Sequence, residues 1–154
     1  MKELTPYKTS SVRSHIMSKI GGKNTKPEIL LRKALFANGY RYRLHNKNLP
    51  GSPDIVLKKY CAVIFVNGCF WHGHTNCINY RPAKNNVEFW KTKIENTKRR
   101  DSLNAEKLRD LNWNVFTVWE CELKKDVFPN TLNNLIHTLE HNKEIEKKCS
   151  RSKN

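Results

Sequence analysis

The segment Gly68–Cys77, GCFWHGHTNC, constrains this chain more than any other. It packs two Cys, two His and two large aromatics into ten residues. It follows Ala62–Val66, AVIFV, a short apolar run that reads as a buried strand. A solvated loop has no structural need for such a mixture. Thiolate and imidazole bind Zn²⁺ and aromatic faces stack on bases, so a metal site beside a nucleic-acid surface accounts for it.

Charge points the same way. Among 154 residues, 29 Lys and Arg stand against 14 Asp and Glu, for a net charge of +15. That excess is more than solubility requires and implies a polyanionic partner, for which a nucleic-acid backbone is the usual candidate. A generally basic protein, ribosomal or thermally adapted, is the alternative. The length suits one domain with a real core. The first fifteen residues contain no apolar segment, so no secretory signal is expected, and Ala62–Val66 is far too short to cross a bilayer. Five cysteines (61, 69, 77, 121 and 149) make an odd set, which argues against a disulfide framework and for a reducing compartment.

The pattern along the chain predicts three parts: a basic N-terminal arm or helix (1–24), a main folded domain (25–140) and a polar basic tail (141–154). In the arm, Val12, Ile16, Met17 and Ile20 have helical spacing. Thr25, Pro27 and Glu28 read as N-cap, first-turn proline and capping-box acid of a helix whose buried face is Leu30, Leu31, Ala34 and Leu35, with Asn38-Gly39 as its stop. Residues 40–44 alternate like a strand. Asp54–Leu57 and Cys61–Val66 predict a hairpin around a polar turn at 58–60. Residues 67–84 form a long irregular loop, then come a helix over 85–112, a strand over 113–119 and a final helix over 128–146. The expected fold is α/β: one domain with a small mixed central sheet flanked by helices.

Within that frame, Cys69, His74 and Cys77 supply three soft ligands from one loop, and Cys121 follows the 113–119 strand as a fourth. A Cys₃His set closes a tetrahedral structural zinc site; His72 competes for the imidazole position, and buried apolar thiols are the simpler alternative. Cys61 reads as a core residue of its strand. Each carboxylate stands out against the basic background. Asp54 follows Pro53 at the mouth of the hairpin, where it can bind Mg²⁺ or merely cap a turn. Glu28 has the capping box as its simpler role, Asp101 a helix salt bridge, and Glu120 a solvent-facing strand end. His72 is a candidate acid–base group. Phe70, Trp71 and Trp90 fit insertion into a base stack or packing beneath the loop, whereas Phe89, Trp113 and Trp119 read as core.

Taken together, these residues resemble the very short patch repair (Vsr) DNA mismatch endonucleases. The matching segments are 17–20, 23–28, 49–54, 63–74, 88–90, 100–101 and 119–121, in family order over roughly residues 12–125. The resemblance implies a restriction-endonuclease-like fold and a Mg²⁺-dependent nick 5′ to the T of a T:G mismatch in double-stranded DNA. It implies that Asp54 anchors the catalytic Mg²⁺, with the Val66 backbone carbonyl as a second contact, and that His72 is the catalytic histidine. Glu28 and Asp101 would hold water on the metal and orient the site. Cys69, His74, Cys77 and Cys121 would hold structural Zn²⁺. Phe70, Trp71 and Trp90 would insert beside the mismatch, and Met17 would wedge from the minor groove. Asn67 stands where some members carry a second histidine; it can bind phosphate but supplies no proton at neutral pH, which leaves more weight on His72. The family further implies a monomer in the bacterial cytoplasm, at the nucleoid when bound to DNA, with a mismatch-repair accessory protein as a candidate partner and no membrane. Two other functions fit the residues: a sequence-specific restriction enzyme on the same scaffold, and a non-enzymatic zinc-stabilised DNA-binding module. The joint presence of Glu28, Asp54, His72 and Asp101 speaks against the last.

Overall fold

The computed structural model describes residues 11–19 and 21–143. In chain order these form α1 (Ser11–Ser18), α2 (Lys26–Ala37), β1 (Arg43–Leu44), β2 (Ile55–Leu57), β3 (Ala62–Asn67), α3 (Val87–Asp110), β4 (Asn114–Trp119) and α4 (Phe128–Asn142). Short 3₁₀ turns follow β2 (Lys58–Tyr60) and β4 (Glu120–Leu123). The sheet runs β1-β2-β3-β4, antiparallel for the first two pairings and parallel for β3 with β4. A parallel pair needs a long crossover, which α3 supplies.

Residue parity along the strands divides the core. Ile55, Leu57, Ala62, Ile64 and Val118 face α2 and α4, meeting Leu31, Leu35, Leu135 and Leu139. Val56 and Val63 face the opposite way, against Leu108 of α3 and Trp113. The sheet is thus a layer between helices, and both faces of β2 are buried, which is why Ile55–Leu57 is uniformly apolar.

Helix α2 begins as its sequence dictates. The Thr25 side chain accepts from the Glu28 N–H, and Pro27 sits in the first turn. The return half of the box is altered: Glu28 takes the Asn24 N–H at 3.0 Å. Leu31 and Leu35, four apart, bury completely, while Leu30 points about a quarter-turn away and is 41% exposed, contrary to its expected place on the buried face. The strand expected over 40–44 shrinks to Arg43–Leu44, because Tyr40 instead packs on Tyr60 and both hydroxyls donate to Glu140 Oε1, at 2.8 and 3.2 Å. Cys61 is buried but precedes β3, in a left-handed conformation (φ 43°) that closes the 3₁₀ turn. Phe89, expected in the core, is 56% exposed: Leu108, near the far end of α3, is that helix's buried residue, so its first turns lie off the apolar layer. Trp113 is buried as expected. Met17 falls in α1, but its side chain, Ile20, Cys149 and the last residues of the expected final helix lie outside the described residues. Among the described residues no helix is long and apolar enough to cross a membrane.

Candidate active site

A cleft of about 790 Å³ opens on the α3 side of the sheet, between the start of α2, the ends of β2–β4 and the middle of α3. Asp54, immediately before β2, projects into it. Its Oδ2 accepts the Val66 N–H at 2.8 Å, a bond across the hairpin rather than within its own turn. Burial pushes the Asp54 carboxyl above the ordinary range. The Val66 N–H pulls it back down, Glu28 adds to the rise, and His45 and Arg32 oppose it. A carboxylate so placed is short of positive charge.

Glu28, only 2% exposed, sits at the back of the cleft. Its oxygens are already engaged: Oε1 by the Thr25 hydroxyl at 3.0 Å, Oε2 by the Asn24 N–H and by Arg32 Nη2 at 2.7 Å. His45, at the end of β1, places Nε2 3.7 Å from Glu28 Oε2 and Nδ1 3.8 Å from Asp54 Oδ1. One atom from each of Glu28, His45 and Asp54 lies within 4.8 Å of the others, a group able to hold a cation. Asp54 Oδ1 is the oxygen best suited to it, since Glu28 would first have to release Arg32.

Across the cleft, His72 Nδ1 lies 2.6 Å from Asp101 Oδ2. The carboxylate accepts, so the imidazole donates from Nδ1 and leaves Nε2 for other chemistry. Asp101 therefore pairs with the loop histidine rather than with its basic neighbours on α3. Asn67, 9% exposed at the end of β3, and Val66 also line the cleft; Glu120 lines it too, as an exposed strand-end residue.

Gly73 separates the two histidines. Its φ is +62°, and a Cβ there would sit 2.6 Å from the Ile94 side chain, so glycine is required on both counts. The turn sends His72 to Asp101 and His74 to the thiols. Cys69 Sγ and Cys121 Sγ each lie 3.5 Å from His74 Nδ1, and the Cys77 and Cys69 sulfurs are 3.7 Å apart. A tetrahedral ion with metal–sulfur bonds of about 2.3 Å requires S···S edges of about 3.8 Å, so the four donors fit a metal. Left as thiols, Cys121 and Cys69 resist ionisation. Burial and the two neighbouring sulfurs push Cys121 up to about 12, and burial also raises Cys69. At Cys77 burial acts upward, but hydrogen bonds from Asn79 and the other thiols outweigh it and hold the group low. Trp119 stacks on His74 at 4.0 Å, closing the cluster from the sheet side.

Beside the cleft, Phe70, Trp71 and Trp90 meet edge-to-face at 5.2–5.7 Å. Phe89 joins Trp90 at 5.4 Å, and Lys93 Nζ lies over Trp71, Phe89 and Trp90. These rings cluster on the surface, with Trp71 36% exposed. Sequence reasoning missed His45 and Arg32. Arg32 follows Glu28 at helical i,i+4 spacing, which was a legible signal; His45 carried none, because its approach depends on the hairpin returning beside α2.

Residues 6–78 match the family described as DNA mismatch endonuclease Vsr. Over 137 residues the chain is 45% identical to the type II nicking enzyme V.NmeAIP of Neisseria meningitidis serogroup A, covering 88% of this chain and 97% of that protein. It is 45% identical over 111 residues to the type II nicking enzyme V.XorIIP of Xanthomonas oryzae, covering 72% and 81%. It is 38% identical over 114 residues to the DNA mismatch endonuclease Vsr of Escherichia coli, covering 74% and 72%. Likeness over 72–97% of the length of these relatives, in a chain that gathers these acids and histidines in one cleft, places it in the Vsr family of DNA mismatch endonucleases, as an endodeoxyribonuclease.

Proposed function

We propose that this chain nicks one strand of duplex DNA 5′ to the T of a T:G mismatch, the lesion left when 5-methylcytosine is deaminated. The observation that carries the reading is the placement of Asp54 and the His72–Asp101 pair on one cleft of a strongly basic molecule. Asp54 would hold Mg²⁺ through Oδ1, with the Val66 carbonyl as a second contact; a hard cation of this kind takes few protein oxygens and keeps several waters. When bound, Mg²⁺ stabilises charge on the scissile phosphate and makes water a better nucleophile. His72, oriented by Asp101, would face the phosphate with Nε2 and move a proton there. Glu28, held by Arg32, would orient solvent at the back of the cleft, and Asn67 would hydrogen-bond the DNA backbone.

Phe70, Trp71 and Trp90 would enter the base stack, and Met17 would act from α1. Cys69, His74, Cys77 and Cys121 would hold one structural Zn²⁺, tying the 68–77 loop to the end of β4 within a restriction-endonuclease-like fold. The enzyme would work as a monomer in the bacterial cytoplasm, where its DNA lies, with a mismatch-repair accessory protein as a candidate partner.

The names of several relatives favour a second reading, a sequence-specific nicking or restriction enzyme acting on matched duplex. One assay separates them: incubation in Mg²⁺ with matched and T:G duplexes of otherwise identical sequence. A single-strand nick in the mismatched duplex alone supports mismatch repair. Cleavage of the matched duplex supports the second reading, and two intact duplexes sink both.

A further inference from the structure

Arg32 is 8% exposed and lies one turn beyond Glu28 on α2. Its Nη1 donates to Asn24 Oδ1 at 2.8 Å, and its Nη2 reaches both Glu28 Oε2 at 2.7 Å and His45 Nε2 at 3.0 Å. Guanidinium stays charged and has no acceptor atom. In this contact His45 Nε2 must therefore accept, which leaves the ring proton on Nδ1. Nδ1 faces Asp54 Oδ1 at 3.8 Å, beyond a direct hydrogen bond but close enough to aim the N–H dipole at that oxygen. The main chain reinforces the alignment, since the His45 N–H donates to the Asp54 carbonyl at 3.3 Å.

We propose that Arg32 and His45 form a positioning pair for Asp54, fixing the carboxylate oxygen that the Val66 N–H leaves free; the role rests on the nuclease reading above. The Val66 amide holds Oδ2, and the imidazole orients Oδ1 from the other side. His45 is then not itself a metal ligand, although it lies close enough to be one, because the nitrogen facing the cleft carries a proton. The pair also accounts for a buried guanidinium whose Nε has no hydrogen-bond partner among the described residues, a feature that costs stability and that an apolar side chain would avoid.

Two substitutions and one spectrum test this. Glutamine can reproduce both contacts, accepting from Arg32 with its oxygen and donating to Asp54 with its amide. Asparagine has the same chemistry, tolerates the left-handed backbone at His45 (φ 46°), and is too short to span the two partners. The expected result is that His45→Asn loses about tenfold or more in kcat with KM for DNA nearly unchanged, and that His45→Gln recovers most of the loss. Long-range ¹H–¹⁵N correlation on the zinc-loaded, Mg²⁺-free protein should show His45 protonated at Nδ1 and bare at Nε2. Wild-type kcat in His45→Asn, equal loss in both variants, or an Nε2–H tautomer would each overturn the pair. If the unmodified chain nicks neither duplex, the proposed function fails instead, and the tautomer decides the Arg32–His45 contact alone.

Discussion

The two clusters of metal-capable side chains, thiols around His74 and carboxylates around His45, are built on different principles. The thiol cluster is closed: four soft donors face one another, Cys69 is fully buried, and Trp119 stacks over the imidazole. The carboxylate cluster is open: Asp54 borders a cleft, holds one oxygen toward it, and is short of positive charge. Closure suits a structural ion, whereas an open position and an under-compensated charge suit an ion that must meet substrate. The loop therefore joins scaffold to chemistry, with Gly73 as the point of division.

Disrupting either cluster should break this contrast in a different way. Cys121→Ser should have the largest effect, because removal of a ligand removes folding free energy: loss of soluble protein, or a Tm lower by more than about 10 °C, with bound zinc lost by elemental analysis. A soluble, zinc-free and fully active variant would make the thiols ordinary core residues. Asp54→Ala should leave folding intact and lower nicking by about a thousandfold or more, measured on a T:G duplex in Mg²⁺. Retained activity there would remove Asp54 from the reaction. His72→Ala should cost about a hundredfold. Asp101→Asn should cost less, about tenfold, because it leaves the imidazole in place and takes away only its orientation; equal losses would make Asp101 a direct participant.

The smallest effect sharpens the contrast through stability. The Asp54 carboxyl is raised in the folded state, so the folded protein binds that proton more tightly than the unfolded chain does. Its charge thus destabilises the fold at neutral pH, and the penalty disappears as pH falls below the unfolded carboxylate range. Asp54→Asn, inactive, should have a Tm equal to or above that of the parent at neutral pH in Mg²⁺-free buffer, with the difference vanishing in acid. A lower Tm at neutral pH would mean that Asp54 serves the fold rather than the cleft.

Much of this was legible in the residues. The hairpin, the α3 crossover helix and β4 follow from period and turn chemistry, and the capping of α2 from Thr25 and Glu28. The residues that failed expectation did so for tertiary reasons. Leu30 and Phe89 are apolar in helical pattern, yet the sheet covers only one stripe of α2 and one end of α3. Tyr40 left its strand because Glu140, a hundred residues away, takes its hydroxyl.

What the sequence determined by itself was the chemistry available: which thiols, imidazoles and carboxylates exist, and that a basic chain carries them toward DNA. Which of them meet was decided only in the folded chain. Local spacing cannot specify that His72 finds Asp101 on α3, that His74 finds Cys121 beyond β4, or that Arg32 and His45 converge behind Asp54. Those pairings depend on β2, β3 and β4 being laid side by side and on helices closing over both faces, because a side chain's partner across a sheet is set by register and packing rather than by its neighbours in sequence.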